Sequence, residues 1–179
     1  MGMTSLPPAA MLPHAIMPAP AEFHARDGRL AITSTFTVGI TGHDDARLRD
    51  GIARAVRRWE ERTGFTFARP FGTGGESATL VITCDSAGSE IPQLGDDESY
   101  TLEITPERAT MRSSTVVGAL RGLETLLQLL ASDADAFHVP AVSIRDQPRF
   151  PWRGLLIDVC RHWQPMPVIK RTLDGMALA

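Results

Sequence analysis

Arg149-Phe-Pro-Trp-Arg-Gly-Leu-Leu-Ile-Asp-Val-Cys-Arg-His-Trp-Gln-Pro-Met-Pro-Val-Ile-Lys-Arg-Thr-Leu-Asp-Gly-Met-Ala-Leu-Ala179 ends a chain of 179 residues. Within it, Gly154 to Val159 is apolar on both faces except for Asp158. A strand with two apolar faces belongs to a parallel sheet covered by helices. Pro165 or Pro167 then opens a helix whose Val168, Ile169, Thr172, Leu173 and Met176 form one face, suited to packing back on that strand. Strand, charged turn and proline-opened helix make a β/α unit, and β/α barrels carry their chemistry beyond the carboxyl ends of the strands. Asp158 and Arg161 fall at that end. An arginine there is tolerated when it is paired, and Asp158 is the available partner. Its planar fork of donors suits vicinal sugar hydroxyls. A structural salt bridge capping the strand end fits the same spacing equally well.

The composition changes at Pro148 to Pro151, which marks a domain boundary. Before it, Leu30 to Val38 alternates as a half-buried strand. Asp44 to Thr63 changes period: Leu48, Ile52, Val56 and Trp59 share a helical face, with Asp44 or Asp45 as N-cap and Gly64 as the stop. The stretch with Gly72, Gly74 and Gly75 has no lysine for a phosphate loop and reads as a plain loop. Thr79 to Cys84 is a short apolar strand. Glu98 to Thr105 alternates and turns at Pro106 to Arg108 into Ala109 to Ser113, a hairpin. Val116, Leu120, Leu123, Leu127 and Leu130 stripe a second helix, and Val139 to Ile144 is a further strand. The expected fold is α+β: a small mixed sheet with two helices packed on it, then the truncated start of a TIM barrel. The expected divisions are a proline-rich lead-in over 1–22, the α+β domain over 23–148, and the first strand and helix of the barrel over 149–179.

Composition narrows the function. Hydrophobic residues at 43% and charged residues at 22% describe a soluble globular chain. A net charge of −3 gives no electrostatic case for nucleic acid or an anionic membrane surface. Cys84 and Cys160 match no disulfide framework or zinc spacing and read as small buried hydrophobes. No apolar run reaches the ~18 residues of a membrane span. The start lacks the basic and apolar regions of a signal peptide, so the residues point to no particular compartment.

Three separated motifs then agree. Arg153-Gly-Leu-Leu-Ile-Asp-Val-Cys-Arg-His162 resembles the first barrel strand of the family-20 glycoside hydrolases, the β-N-acetylhexosaminidases. Glu98-Ser-Tyr-Thr-Leu-Glu-Ile104 and Gly118-Ala-Leu-Arg-Gly-Leu-Glu-Thr-Leu126 resemble segments of the small α+β domain that precedes their barrel. The likeness runs from about residue 16 to the last residue. Cys160 departs from it, standing where serine is common in that family; the swap is nearly isosteric.

The resemblance implies a hydrolase that removes terminal GlcNAc or GalNAc from glycans of chitooligosaccharide type, without metal or other cofactor, by a retaining, substrate-assisted mechanism. It implies that Arg161 binds the hydroxyls of the terminal N-acetylhexosamine, with Asp158 orienting it; His162 belongs to the motif without an assigned role. The family's catalytic Asp-Glu pair lies on a later barrel strand, so no catalytic residue is expected here, and the missing barrel remainder is the partner needed. Asp97-Glu98, with Asp96 beside it, leads into a strand of the small domain and reads as a solvated turn; Asp44-Asp45 reads as a helix start. Relatives are often periplasmic, secreted or lysosomal. The rival expectation is a non-catalytic carbohydrate-binding or interaction module, against which stands the lack of a row of exposed aromatics.

Overall fold

A computed structural model describes residues 16–72, 75–134 and 136–178. Most of the proline-rich lead-in and Gly74 lie outside them. Among the described residues, β1 (Glu22–Ile32), β2 (Val38–Gly42), β3 (Leu80–Ser86), β4 (Tyr100–Ile104), β5 (Ala109–Thr115), β6 (Ala131–Ser132) and β7 (Phe137–Asp146) build one mixed sheet. Its spatial order is β1-β7-β4-β5-β3-β2, with the two-residue β6 beside β7. The pairs β2–β3 and β3–β5 are parallel and the others antiparallel. α1 (Ala46–Thr63) joins β2 to β3, and α2 (Val116–Gln128) follows β5 directly. The α+β fold expected from the periodicities is the one observed.

Register explains why both helices lie on one face. Ile40, Ile82, Met111, Leu102, Ile144 and Phe23 are successive cross-strand partners, an apolar row spanning six strands. One residue along, the row reads Thr41, Thr83, Arg112, Thr101, Arg145 and Glu22, and none of these is buried. A slip of one residue in any pairing would exchange the rows, so burial specifies the register. Each fully buried Ile or Leu of the first row contributes about 1.5–3 kcal/mol.

α1 begins where Asp45 accepts the Leu48 N–H at 2.8 Å and ends where Gly64, at φ +74°, donates to the Glu60 carbonyl. Its Leu48, Ile52, Val56 and Trp59 are buried, as their spacing requires. In α2 the Thr115 hydroxyl accepts from Gly118 N–H at 3.2 Å. Gly118 and Gly122 let this helix lie very close to the sheet. A Cβ on Gly118 would stand 2.3 Å from the Ser99 carbonyl oxygen, and one on Gly122 would meet Met111 and Tyr100 at 2.8–3.0 Å.

Three expectations differ from what is observed. Leu30 to Val38 is not one strand: it breaks at a turn in which Phe36 N–H donates to Thr33 at 3.0 Å. Ile32 pairs with Phe137 on β7 and Val38 with Leu80 on β3, at opposite ends of the sheet, so one straight segment cannot serve both. The first strand also starts earlier, at Glu22, the last residue of the span expected to be lead-in; as an edge strand it is mostly exposed, and before Leu30 only Phe23 and Ala25 are apolar. Beyond the boundary, α3 (Met166–Leu178) forms, but the strand expected over Gly154 to Val159 does not. A buried parallel strand exists only when neighbours take up its N–H and C=O groups. No described strand pairs with this segment, and Leu155, Leu156, Ile157 and Val159 are exposed.

Replacing glycine by alanine in a helix ordinarily gains up to about 1 kcal/mol. Gly118→Ala should instead destabilise the protein by about 1–3 kcal/mol through overpacking against Ser99, read from the midpoint of urea unfolding; a stabilised variant would contradict the close approach of α2.

Candidate functional site

The close approach of α2 brings the strand-entry segment of β4 against the helix start. Thr115 donates its hydroxyl to the Asp97 carbonyl at 2.6 Å, so the same side chain that caps α2 also holds this segment. One turn further along α2, Arg121 Nε reaches Glu98 Oε2 at 2.8 Å. Arg153 Nη2 reaches that same oxygen at 2.6 Å from beyond the domain boundary, while its Nη1 donates to the Phe150 carbonyl at 2.5 Å. Glu98 is only 16% exposed. Burial on its own would raise its pKa, but the Arg153 and Arg121 guanidiniums outweigh it and hold the carboxyl below its ordinary value.

Glu98 is therefore not the solvated carboxylate expected of the turn. The neighbouring carboxylates are local: Asp97 accepts from Ser99 N–H at 2.8 Å, and Asp96 accepts from Ser89 and Gln93. Asp45 is the α1 cap, its pKa lowered by His43 at 2.9 Å and by the Leu48 N–H. Sequence reading missed Glu98 because its partners lie 23 and 55 residues away. The signal available was that Glu98, Arg121 and Arg153 each sit in one of the three motifs.

Five residues past Arg153 the chain turns. Asp158 Oδ1 accepts the backbone N–H groups of Cys160 and Arg161 at 3.0 and 3.1 Å, and Asp158 Oδ2 pairs with Arg161 Nε at 3.0 Å. The two residues singled out from the spacing are thus brought together, with Asp158 fixing both the backbone and the side chain of Arg161. The Arg161 side chain is 90% exposed, its guanidinium open on the side away from Asp158. Cys160 is exposed rather than buried, because the turn projects from the surface, whereas Cys84 is buried in β3 as expected. His162 is exposed. Among the described residues no group of His, Cys, Asp or Glu is arranged to hold a metal ion, and no helix is long and apolar enough to cross a membrane.

The described residues thus form a one-faced mixed sheet, followed by a proline-bounded joint, a charged turn and a helix. Residues 13–147 match glycosyl hydrolase family 20, domain 2, and residues 150–179 match the glycosyl hydrolase family 20 catalytic domain. The chain belongs to glycosyl hydrolase family 20. It is 35% identical over 199 residues to Beta-hexosaminidase 1 of Arabidopsis thaliana, covering 98% of this chain and 36% of that protein. With Beta-hexosaminidase subunit alpha of Bos taurus it shares 39% identity over 152 residues, covering 82% and 27% of the two. The chitobiase of Flavobacterium johnsoniae superposes with a TM-score of 0.84 at 41% identity, over 92% of this chain and 25% of that one. The chain thus spans well under half the length of these relatives.

The folded protein holds the Glu98 proton less tightly than the unfolded chain does. The resulting stabilisation is complete above the ordinary carboxylate pKa of about 4.3 and is lost as pH falls through the lower folded value. Glu98→Gln should cost about 1.5–3 kcal/mol at neutral pH, and its deficit relative to wild type should close in acid. Urea unfolding of both proteins from neutral pH into the acid range reads this; a deficit that persists undiminished in acid would contradict the charged pairing.

Proposed function

We propose that this chain supplies the N-terminal part of a β-N-acetylhexosaminidase, an enzyme that removes terminal GlcNAc or GalNAc from the non-reducing ends of glycans. The observation that carries the proposal is the Asp158–Arg161 turn, found within the residues that match the family's catalytic domain. Arg161 binds the hydroxyls of the terminal N-acetylhexosamine, and Asp158, holding it by backbone and side chain, sets its direction. In the family reaction the substrate's acetamido oxygen attacks the anomeric carbon while an Asp orients it and a Glu transfers protons. No glutamate follows Glu124 in this sequence, so residues 149–179 contain no Asp-Glu pair. The 179 residues alone are therefore catalytically silent, and the rest of a barrel is the partner that completes the site.

Exposed apolar side chains support that reading of residues 149–178. Trp152, Leu156, Trp163 and Met166 are each more than 60% exposed, whereas a finished domain keeps such side chains packed. The alternative, a free-standing carbohydrate-binding module, is disfavoured by the α+β domain itself. Among its described residues no aromatic side chain is exposed, so it offers no platform on which a sugar ring could stack.

Two arms test the proposal with an aryl N-acetyl-β-glucosaminide. The 179-residue chain should show no turnover. Joined in frame to the remaining barrel of a family-20 relative it should turn over, and Arg161→Ala should then lower kcat/KM by at least about 30-fold, the loss of roughly 2 kcal/mol of charge-assisted hydrogen bonding. Turnover that survives Arg161→Ala would place the sugar elsewhere.

A further inference from the structure

We propose that Glu98, a residue of the α+β domain, is a positioning residue for Arg161: it anchors the segment that carries the Asp158–Arg161 turn by holding Arg153 at the point where that segment leaves the domain. The proposal rests on the substrate role given to Arg161 above.

Three observations place the anchor there. Among the described residues, Arg153–Glu98 is the only hydrogen bond or ion pair that joins residues 149–178 to the sheet domain. The next residue, Gly154, has no atom within 4 Å of where a Cβ would sit, so the chain enters open space immediately after Arg153. Upstream, β7 ends at Asp146, which accepts from the Tyr100 hydroxyl at 3.1 Å and from Ala21 N–H at 2.9 Å. Between these fixed points, Pro148 and Pro151 restrict the backbone.

The segment is consequently held at both ends of a short, stiff joint. Beyond it, the five residues from Arg153 to Asp158 reach about 18 Å at most when fully extended, so the Arg153 contact bounds how far the Asp158–Arg161 turn can range from the sheet domain. Glu98 suits this task because it is itself fixed. The backbone carbonyl of Asp97 is held by Thr115, and the Glu98 carboxylate is held by Arg121, both from α2. The accessory domain therefore contributes to sugar recognition without touching sugar. Holding the segment near the domain before the ligand arrives reduces the ordering that binding would otherwise have to supply.

The test is ¹⁵N relaxation of the Cys160 and Arg161 amides in the full 179-residue chain, with trypsin cleavage after Arg161 as a second reading. Glu98→Gln and Arg153→Gln should each lower the order parameters of these amides from their wild-type values to below about 0.6. Each should also raise cleavage about tenfold, as expected when local opening is no longer opposed. Amides in β4 and α2 should keep their wild-type order, and Arg121→Gln, which frees the Glu98 carboxylate from α2 but leaves the Glu98–Arg153 bond in place, should raise cleavage less than half as much as Arg153→Gln does. Arg153 lies outside the folded domain, so its variant reports on the anchor even if Glu98→Gln disturbs folding. Unchanged amides in both variants would overturn the proposal, as would Arg121→Gln loosening the turn as much as Arg153→Gln does. No sugar enters this experiment: turnover indifferent to Arg161→Ala removes the substrate role and leaves the anchor, whereas unchanged Cys160 and Arg161 amides remove the anchor and leave the substrate role.

Discussion

Glu98 lies where the chain entering β4 passes over the first turns of α2, and its carboxylate is only 16% exposed. A charge withdrawn from water to that extent has to be paired, and leaving it alone would cost more than any neutral side chain in its place. Arg121 meets the need from α2 and Arg153 from the segment beyond the boundary. The constraint acts in both directions. The carboxylate requires its arginines, and the arginines draw the helix, the sheet and the barrel start to one oxygen. Gly118 permits the meeting, since a side chain there would clash with the Ser99 carbonyl and push α2 away from the segment that carries Glu98.

Much of the fold was legible because it is written in periodicity. The apolar stripes of α1 and α2 and the alternation of β4 and β5 are properties of neighbouring residues, and burial follows them closely. The part of edge strand β1 before Leu30 escaped notice because only one of its sides has a neighbour and most of its side chains face water, so apart from Phe23 and Ala25 it carries no apolar signal. Leu30 to Val38 misled for a different reason. Its alternation is real, with Leu30, Ile32, Phe36 and Val38 all buried, but a turn sends its halves to opposite ends of the sheet.

The site divides in the same way. Asp158 and Arg161, three residues apart at the end of an apolar run, were recognisable as a pair from spacing, and the structure pairs them; only the family resemblance assigned them to sugar. Glu98 was not recognisable as an anchor, because nothing local distinguishes a glutamate that begins a strand from one that decorates a turn. Its role appears only when the three motifs are superimposed in space. The barrel strand shows the converse limit: Gly154 to Val159 has the composition of a buried strand, yet composition cannot supply the neighbours a strand pairs with. What the residues encode there is a requirement for partners.

The central claim is that the motifs converge on Glu98 as an energetic unit rather than by proximity alone. A double-mutant cycle of Glu98→Gln and Arg121→Gln, read by urea unfolding at neutral pH, tests it most directly. A coupling of about 1 kcal/mol or more is expected, the behaviour of two side chains sharing one charged hydrogen bond. Additivity to within about 0.3 kcal/mol, as for independent sites, would contradict it.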